Sequence, residues 1–291
     1  MIRLIDIKGL YVHGGEFHAD DVCVAAFLEL CLGIDAFEIV RGFNPPNDDE
    51  AEQTGFLVAD IGDGMFDHHS VPRETRANEI PYASFGKVVR AFWEESGLFS
   101  GQDSYKRFDR DFVQELDLLD NDGPAVLRGI KQHFCSVISS LNLAWDDDNT
   151  PEIQMQQFRK AVAVASIAIE AAIHAANSGI LAEKYIKAGM KDAKNGILIL
   201  DRAVDYQATL AESDIQWVVM PSERGGWYAV SVLDREGKNK SLFPVEFRGK
   251  RNDELSDLCP GMVFCHASGF LAQFETKEQA MQEMEFLVND S

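Results

Sequence analysis

Basic residues are in short supply in this 291-residue chain: 27 Lys and Arg stand against 48 Asp and Glu, for a formal charge of -21. That imbalance excludes a wide electrostatic footprint on nucleic acid, because nonspecific phosphate binding relies on clustered cations. An anionic substrate would need a local basic patch or a metal ion. Cysteine is scarce too. The five (Cys23, Cys31, Cys135, Cys259, Cys265) are odd in number and include no C-x-x-C pair. This argues against a disulfide framework and a thiolate zinc site, and fits a reducing compartment. A long apolar run is also missing. The least polar stretch, AVAVASIAIEAAIHAA at 161–176, is broken by Glu170 and His174 and falls short of the roughly 20 residues a membrane helix needs. Asp6 and Lys8 occupy the place of a signal peptide's apolar core, so MIRLIDIKGLYV is expected to be mature N-terminus. A soluble, cytoplasmic protein with no membrane partner is expected.

What is present is a 46% hydrophobic chain, enough for a sizeable core. Apolar runs alternate with helical patterns: IRLIDI, the helix DDVCVAAFLELCLG, FEIVRG, then FLVADIG. This is the β-α-β rhythm of an α/β fold built on a parallel sheet. From about 84 to 190 the pattern is mostly helical, through SFGKVVRAFWEES, YKRFDRDFVQELDLLDN, PAVLRGIKQHFCSVISSL and a long stretch from Pro151 with a break expected near Gly179. After KNG at 194–196, strand-like ILILD, IQWVVM, WYAVSV and MVFCHAS precede a closing helix that begins at the capping-box pattern Thr276-x-x-Gln279. We therefore expect two domains: 1–192, a parallel-sheet domain with its helical connector, and 193–291, a smaller α+β domain.

Polarity concentrates where sheet strands end. HGGEFHADD, at 13–21, places His13, His18 and Asp20 on a strand-to-helix loop, the position of the ligand crevice in open α/β sheets. FLVADIG delivers Asp60 at the end of the next apolar run, Asp67-His68-His69 follows, and VQELDLLDN puts Asp117 and Asp120 on one helix face. Imidazole and carboxylate without sulfur form a donor set for Mn²⁺, Zn²⁺ or Fe²⁺, with Mg²⁺ also admissible, and several bridging carboxylates suggest two ions. Two ions about 3.5–4 Å apart lower the pKa of a water between them and clamp the oxygens of an in-line phosphoryl displacement.

These motifs, in this order, resemble those of the DHH phosphoesterase superfamily of RecJ-type exonucleases, exopolyphosphatases and manganese pyrophosphatases. The branch most similar is the melanocyte proliferating gene family, to which HGGEFHADD, YASFGKVV at 82–89, FRGKRNDEL at 247–255 and VFCHASGF at 263–270 are all similar. The resemblance spans nearly the whole chain. It implies a dinuclear centre, most simply two Mn²⁺, in the N-terminal domain and a phosphate-gripping C-terminal domain. The ligands it implies are His13, His18, Asp20, Asp60, His68 and one or both of Asp117 and Asp120, with Asp60 bridging. Asp67 or His69 would orient the centre or donate a proton to the leaving group. Arg248, Arg251, His266 and Ser268, with backbone N–H groups around Gly269, would hold phosphate. The chain departs from the branch at Gly14, where Asn is usual, and at Ala19 and Asp21, where Cys and Glu are usual; none is among these ligands.

The activity implied is a metal-dependent 3′-to-5′ exonuclease on RNA or short oligonucleotides, short because the surface is acidic. Variants on the same chemistry are a pyrophosphatase, an exopolyphosphatase or a small-nucleotide phosphohydrolase. More distant readings are a dinuclear hydrolase of C–N or ester bonds and a metal-binding module without turnover. A homo-oligomer is compatible with all of these. His133 and His174 read as packing or surface histidines, Cys23 and Cys31 as buried small hydrophobes, and Trp217, Trp227, Tyr228 and Phe243 as filling of the second core.

Overall fold

The computed structural model describes residues 2–123, 126 and 133–289. It divides into two compact units, Met1–Ser178 and Gly179–Ser291.

The first unit is α/β. Strands β1 (Gly9–His13), β2 (Glu38–Gly42) and β3 (Phe56–Val58) form a parallel sheet in the order β2-β1-β3. β1 is central and four of its five residues are buried, as expected of a parallel strand covered on both faces. The first strand is therefore LYVH and not IRLIDI. Leu4–Asp6 form a 3-10 turn instead, closed by Arg3, whose guanidinium bonds Asp6, and by the Arg3 carbonyl, which accepts the Asp6 N–H. The helices are α1 (Ala19–Leu32), α2 (Asp48–Thr54), α3 (Ser84–Ser96), α4 (Gln102–Phe108), α5 (Gln114–Asp122), α6 (Phe134–Ser139) and α7 (Pro151–Gly189). α1 is apolar on nearly every side, with Ala19 to Glu29 buried throughout, and packs against α3, α5 and α6 as the helix at the centre of the core. A π-helical turn, Asp109–Val113, joins α4 to α5. Most of the first half of the expected helix 124–141 lies outside the described residues.

α7 runs through Gly179 without a break, since a single helical glycine costs only about 1 kcal/mol relative to alanine. By length and composition it could cross a membrane. One face of it, Phe158, Ala161, Val162, Ala165, Ile169, Ile173 and Ala176, forms a buried stripe in the first core.

In the second unit, β4 (Ile197–Ile199), β5 (Trp217–Pro221), β6 (Trp227–Ser231), β7 (Met262–Cys265) and β8 (Leu271–Phe274) form a mixed sheet in the order β4-β5-β6-β8-β7. Only β4 and β5 are parallel. Short helices α8 (Gln207–Leu210) and α9 (Asp253–Ser256) precede the closing helix α10 (Lys277–Asn289). Thr276 and Gln279 cap α10 reciprocally, as their spacing predicts. Trp217 and Phe243 are buried with ring centroids 4.6 Å apart, while Trp227 and Tyr228 pack partly exposed at the rim. Ile186, near the end of α7, is buried with Leu198 and Val218, so the helix end belongs with the sheet that follows it.

Candidate metal centre

Three segments bring the imidazoles and carboxylates to one end of the parallel sheet. β1 ends on His13, and the loop returns through His18 to the first turn of α1, which carries Asp20 and Asp21. Past β3, Asp60 takes a φ of 60°, a left-handed conformation that Asp tolerates better than most residues. Its N–H bonds the Phe66 carbonyl at 3.2 Å, which closes the loop and sets Asp67-His68-His69 beside it. The last turn of α5 supplies Asp120.

His68 is the hub. Its Nε2 lies 3.0 Å from Asp60, 3.0 Å from Asp120 and 4.0 Å from Asp20. His13 Nε2 lies 3.3 Å from Asp60 and 3.5 Å from Asp21. Each ring is turned by its other nitrogen. His13 Nδ1 is 3.0 Å from the Gly14 carbonyl, and His68 Nδ1 is 3.4 Å from Asn121 Oδ1. Asn121 is held in turn by its amide, which donates to the carbonyls of Asp117 and Tyr82. A proton on each Nδ1 would leave the Nε2 lone pair to a cation lying among the carboxylates, in place of the proton that Nε2 otherwise shares with them, the support that metal-bound histidines require. Three sets of ligand atoms result, each set within 4.8 Å: His13-His18-Asp60, Asp60-His68-His69 and Asp20-His68-Asp120. Asp60 and His68 each belong to two sets, a connectivity suited to two ions.

The residues fit a cation. His13 Nε2 and Asp21 Oδ2 are buried and make no hydrogen bond among the described residues. Each orphaned group of this kind costs about 1–3 kcal/mol, which a cation would offset. Proximity also perturbs the protons. Burial alone would lower the His13 pKa, but Asp60 and the charge of Asp21 raise it to about 9. Burial would lower His68 as well, yet its bonds to Asp120 and Asp60 raise it strongly. Asp60 would rise on burial, but the two imidazoles hold it low. Asp20 is driven up by burial and by the charges of Asp60 and Asp120, and burial lifts Asp21 to about 7 against the pull of His13.

The other expected residues fall in different places. Asp20 accepts the N–H groups of Ser84 and Phe85 at 3.0 and 2.7 Å and so ties α1 to the start of α3. Asp117 joins none of the ligand sets. Arg76 holds one of its oxygens at 2.7 Å and the Gly86 N–H the other at 3.2 Å. A Cβ on Gly86 would come within 2.0 Å of that carboxylate, so the close approach of α3 to α5 requires glycine. Asp67 accepts from His69 Nδ1 at 2.6 Å and from the N–H groups of Asp63 and His69, and the buried Lys87 ammonium donates to its carbonyl at 2.6 Å. Asp67 is thus placed to orient His69, whose ring is largely exposed.

A cavity of about 740 Å³ opens on the cluster, with Asp60, His68, His69, Asp120, Arg73, Asn121 and His133 in its wall. Sequence reasoning does not single out Asp21, Arg73, Asn121 or Lys87, and it reads His133 as packing. His133 Nδ1 is buried without a hydrogen bond among the described residues, and Arg73 is held by Asp122 at 2.7 Å and the Asn121 carbonyl at 3.2 Å. Asn121, four residues after Asp117 in the acidic helix, is the one with a readable signal.

In the second unit, Arg248, His266, Ser268 and Gly269 form one cluster. Arg248 Nε donates to the Phe243 carbonyl at 2.8 Å, and its side chain lies over Gly269, where a Cβ would come within 2.5 Å of it. Gly269 has a φ of 75°, and its N–H bonds the His266 carbonyl. The Ser268 N–H donates to His266 Nδ1 at 3.1 Å. Arg251 stands apart from these contacts, its guanidinium over the Phe264 ring.

A family model described as "Uncharacterised protein family (UPF0160)", MYG1_exonuc, matches residues 9–285. Relatives include a MYG1 protein of Schizosaccharomyces pombe, 27% identical over 93% of this chain and 94% of its own length. A MYG1 protein of Chlamydia trachomatis is 25% identical over 97% and 96%, and a MYG1 exonuclease of Bos taurus 24% over 92% and 81%. Among solved structures, RecJ of Thermus thermophilus in complex with Mg²⁺ aligns over 97% of this chain and 49% of its own, at 13% identity and a TM-score of 0.29. With nearly the whole chain matched, the protein belongs to the MYG1_exonuc family.

Proposed function

We propose that the protein is a metal-dependent hydrolase of phosphodiester bonds, and that it removes nucleotides from RNA or short oligonucleotides in the 3′-to-5′ direction. The observation that carries this reading is the convergence of His13, His18, Asp20, Asp60, His68, His69 and Asp120 in three interlocked ligand sets. Family membership and the exonuclease name of mammalian relatives support it. His13, His18 and Asp60 would hold one ion and Asp20, His68 and Asp120 a second, with two Mn²⁺ as the favoured pair. Bound there, the ions would supply Lewis acidity toward water and phosphate.

The chain's own groups do the rest. Asn121 and the Gly14 carbonyl keep His68 and His13 in the tautomer that presents Nε2. Water attacks phosphorus as the bond to the leaving oxygen breaks, and that oxygen needs a proton. His69, exposed at the cavity and oriented by Asp67, is the donor we assign. Arg73 at the cavity wall would hold phosphate oxygens there; in the second unit, the side chains of Arg248, His266 and Ser268 are the phosphate grip that the resemblance implies. The five free cysteines support action in the cytoplasm.

Metal analysis of the purified protein, followed by Mn²⁺-supplemented assays on 3′- and 5′-labelled RNA, DNA, dinucleotides and pyrophosphate, tests this reading. Stepwise loss from the 3′ end of RNA is expected. Turnover of pyrophosphate alone would replace the nuclease with a pyrophosphatase, and silence on every phosphate with activity on amides would remove phosphoryl chemistry altogether.

A further inference from the structure

A second cavity is lined by part of the loop that carries the metal-site histidines. It holds about 230 Å³ and is walled by Gly15, Glu16, Phe17, Arg41, Trp145 and Gln157, together with residues of the connector before α7. The next two residues along the loop, His18 and Ala19, line the larger cavity. Gly15 and His18 are three residues apart, at most about 10 Å of chain. A strand with one phosphate at the imidazoles would therefore have this pocket within reach of a neighbouring nucleotide.

We infer that this pocket binds a nucleobase of the substrate strand, one carrying an amino group, stacked on Trp145. The inference rests on the nuclease reading and names a base-recognition site for it. Trp145 is 96% exposed, an unusual position for the largest apolar side chain and one that offers a whole ring face beside a cavity. The chemistry of the wall indicates a flat, neutral ring with hydrogen-bonding edges. Glu16 and Asp147 make it unwelcoming to phosphate. The cation in its wall, Arg41, is only partly engaged: Nη2 donates to the Gly15 carbonyl at 2.8 Å and the guanidinium lies 4.6 Å from the centre of the Phe158 ring, while Nε is buried without a partner among the described residues.

Asn142 is spent on both backbone groups of Phe17, and Asp147 on the Ala144 N–H, so these two shape the pocket without reading a ligand. Glu16 and Gln157, by contrast, make no side-chain hydrogen bond among the described residues. A carboxylate accepts from the amino groups of cytosine, adenine or guanine, and an amide beside it supplies both a donor and an acceptor. Uracil, whose exocyclic groups are both carbonyls, offers Glu16 only its N3–H. An organic cation is the competing ligand for acidic groups around a tryptophan, but cation cages are built from several aromatic faces, and among the described residues of this wall only Trp145 offers an exposed one.

Calorimetric titration of the full chain with a short guanine-rich oligoribonucleotide, with a uridine one, and with a strand lacking its bases tests this without reference to turnover. Tight binding of the guanine strand, weaker binding of uridine and weaker still of the baseless strand are expected. Trp145→Ala should weaken the guanine strand by about 5- to 150-fold, the range of one base stack, and Trp145→Phe should restore most of it. Glu16→Gln should narrow the difference between guanine and uridine.

Equal affinity for strands with and without bases, or no effect of Trp145→Ala, would overturn the inference. So would a trimethyllysine peptide that competes through Trp145. Base-dependent binding by a chain that cleaves no phosphodiester would leave this site standing and sink the nuclease reading. Cleavage that is indifferent to bases would do the reverse.

Discussion

In the N-terminal unit the site is made of side chains from packed elements: Asp20 and Asp60 are at most 4% exposed, and each is held by partners from another segment. In the C-terminal unit the Arg248 cluster is made of turns, with backbone N–H groups, a glycine at positive φ and a half-buried arginine. A buried polar group is expensive unless partnered, so a deep cluster is fixed and poised for a fixed ligand such as an ion. A turn that carries arginine and histidine side chains near the surface suits an anion that arrives and leaves. Rigid chemistry and exchangeable grip are thus built with different materials.

That contrast can be broken by mutation. The largest effect is expected from His68→Ala or Asp60→Asn. Losing either residue, each a member of two ligand sets, should cut Mn²⁺-dependent turnover by more than about 100-fold, beyond the 10- to 100-fold typical of supporting residues, with the circular-dichroism spectrum retained. Asn121→Ala, which removes only the support of His68, should weaken metal binding by about 10- to 100-fold. Arg248→Ala should act on the other side of the contrast. It should raise KM by about 10-fold with kcat little changed, since a hydrogen bond to a charged group contributes about 1.5–3 kcal/mol, and an unchanged KM would remove Arg248 from the phosphate grip.

Acidity sharpens the same contrast. His13 has its pKa raised to about 9 in the folded chain, so its ion pairs stabilise the metal-free protein below its ordinary value near 6.5 and are lost as pH climbs through about 9. Metal must displace that proton. Mn²⁺ affinity should rise by up to about 10-fold per pH unit through this window, with proton uptake by buffer visible in calorimetry. The smallest change is expected from Gly86→Ala, which should lower stability by about 1–3 kcal/mol in denaturant melts, through crowding of Asp117, without entering the metal site.

Much of this is readable in the sequence because the polar groups interrupt apolar runs. His13 and Asp60 stand at the ends of LYVH and FLVA, where nothing in a core explains them. Asp117 and Asp120 cannot be separated there, because three residues on a helix share a face. Only the position of Arg76, 41 residues away in sequence, makes Asp117 a brace and leaves Asp120 for the imidazole. Asp21 stands out in sequence only as a departure from the usual Glu, although its carboxylate lies 3.5 Å from His13. Arg73 and Lys87 carry no local signal at all, because their partners are set by the loop between Asp60 and α3. The 3-10 turn at Leu4–Asp6 resembles a strand, since its apolar residues match either period over so short a run.

One carboxyl group has two duties. Asp20 faces the imidazole hub while its oxygens receive two amide protons from the start of α3. A carboxylate anchored in this way would not swing free of its place when an ion it held departed. Exchange of one cation for another at this carboxylate would therefore leave the start of α3 in register with α1.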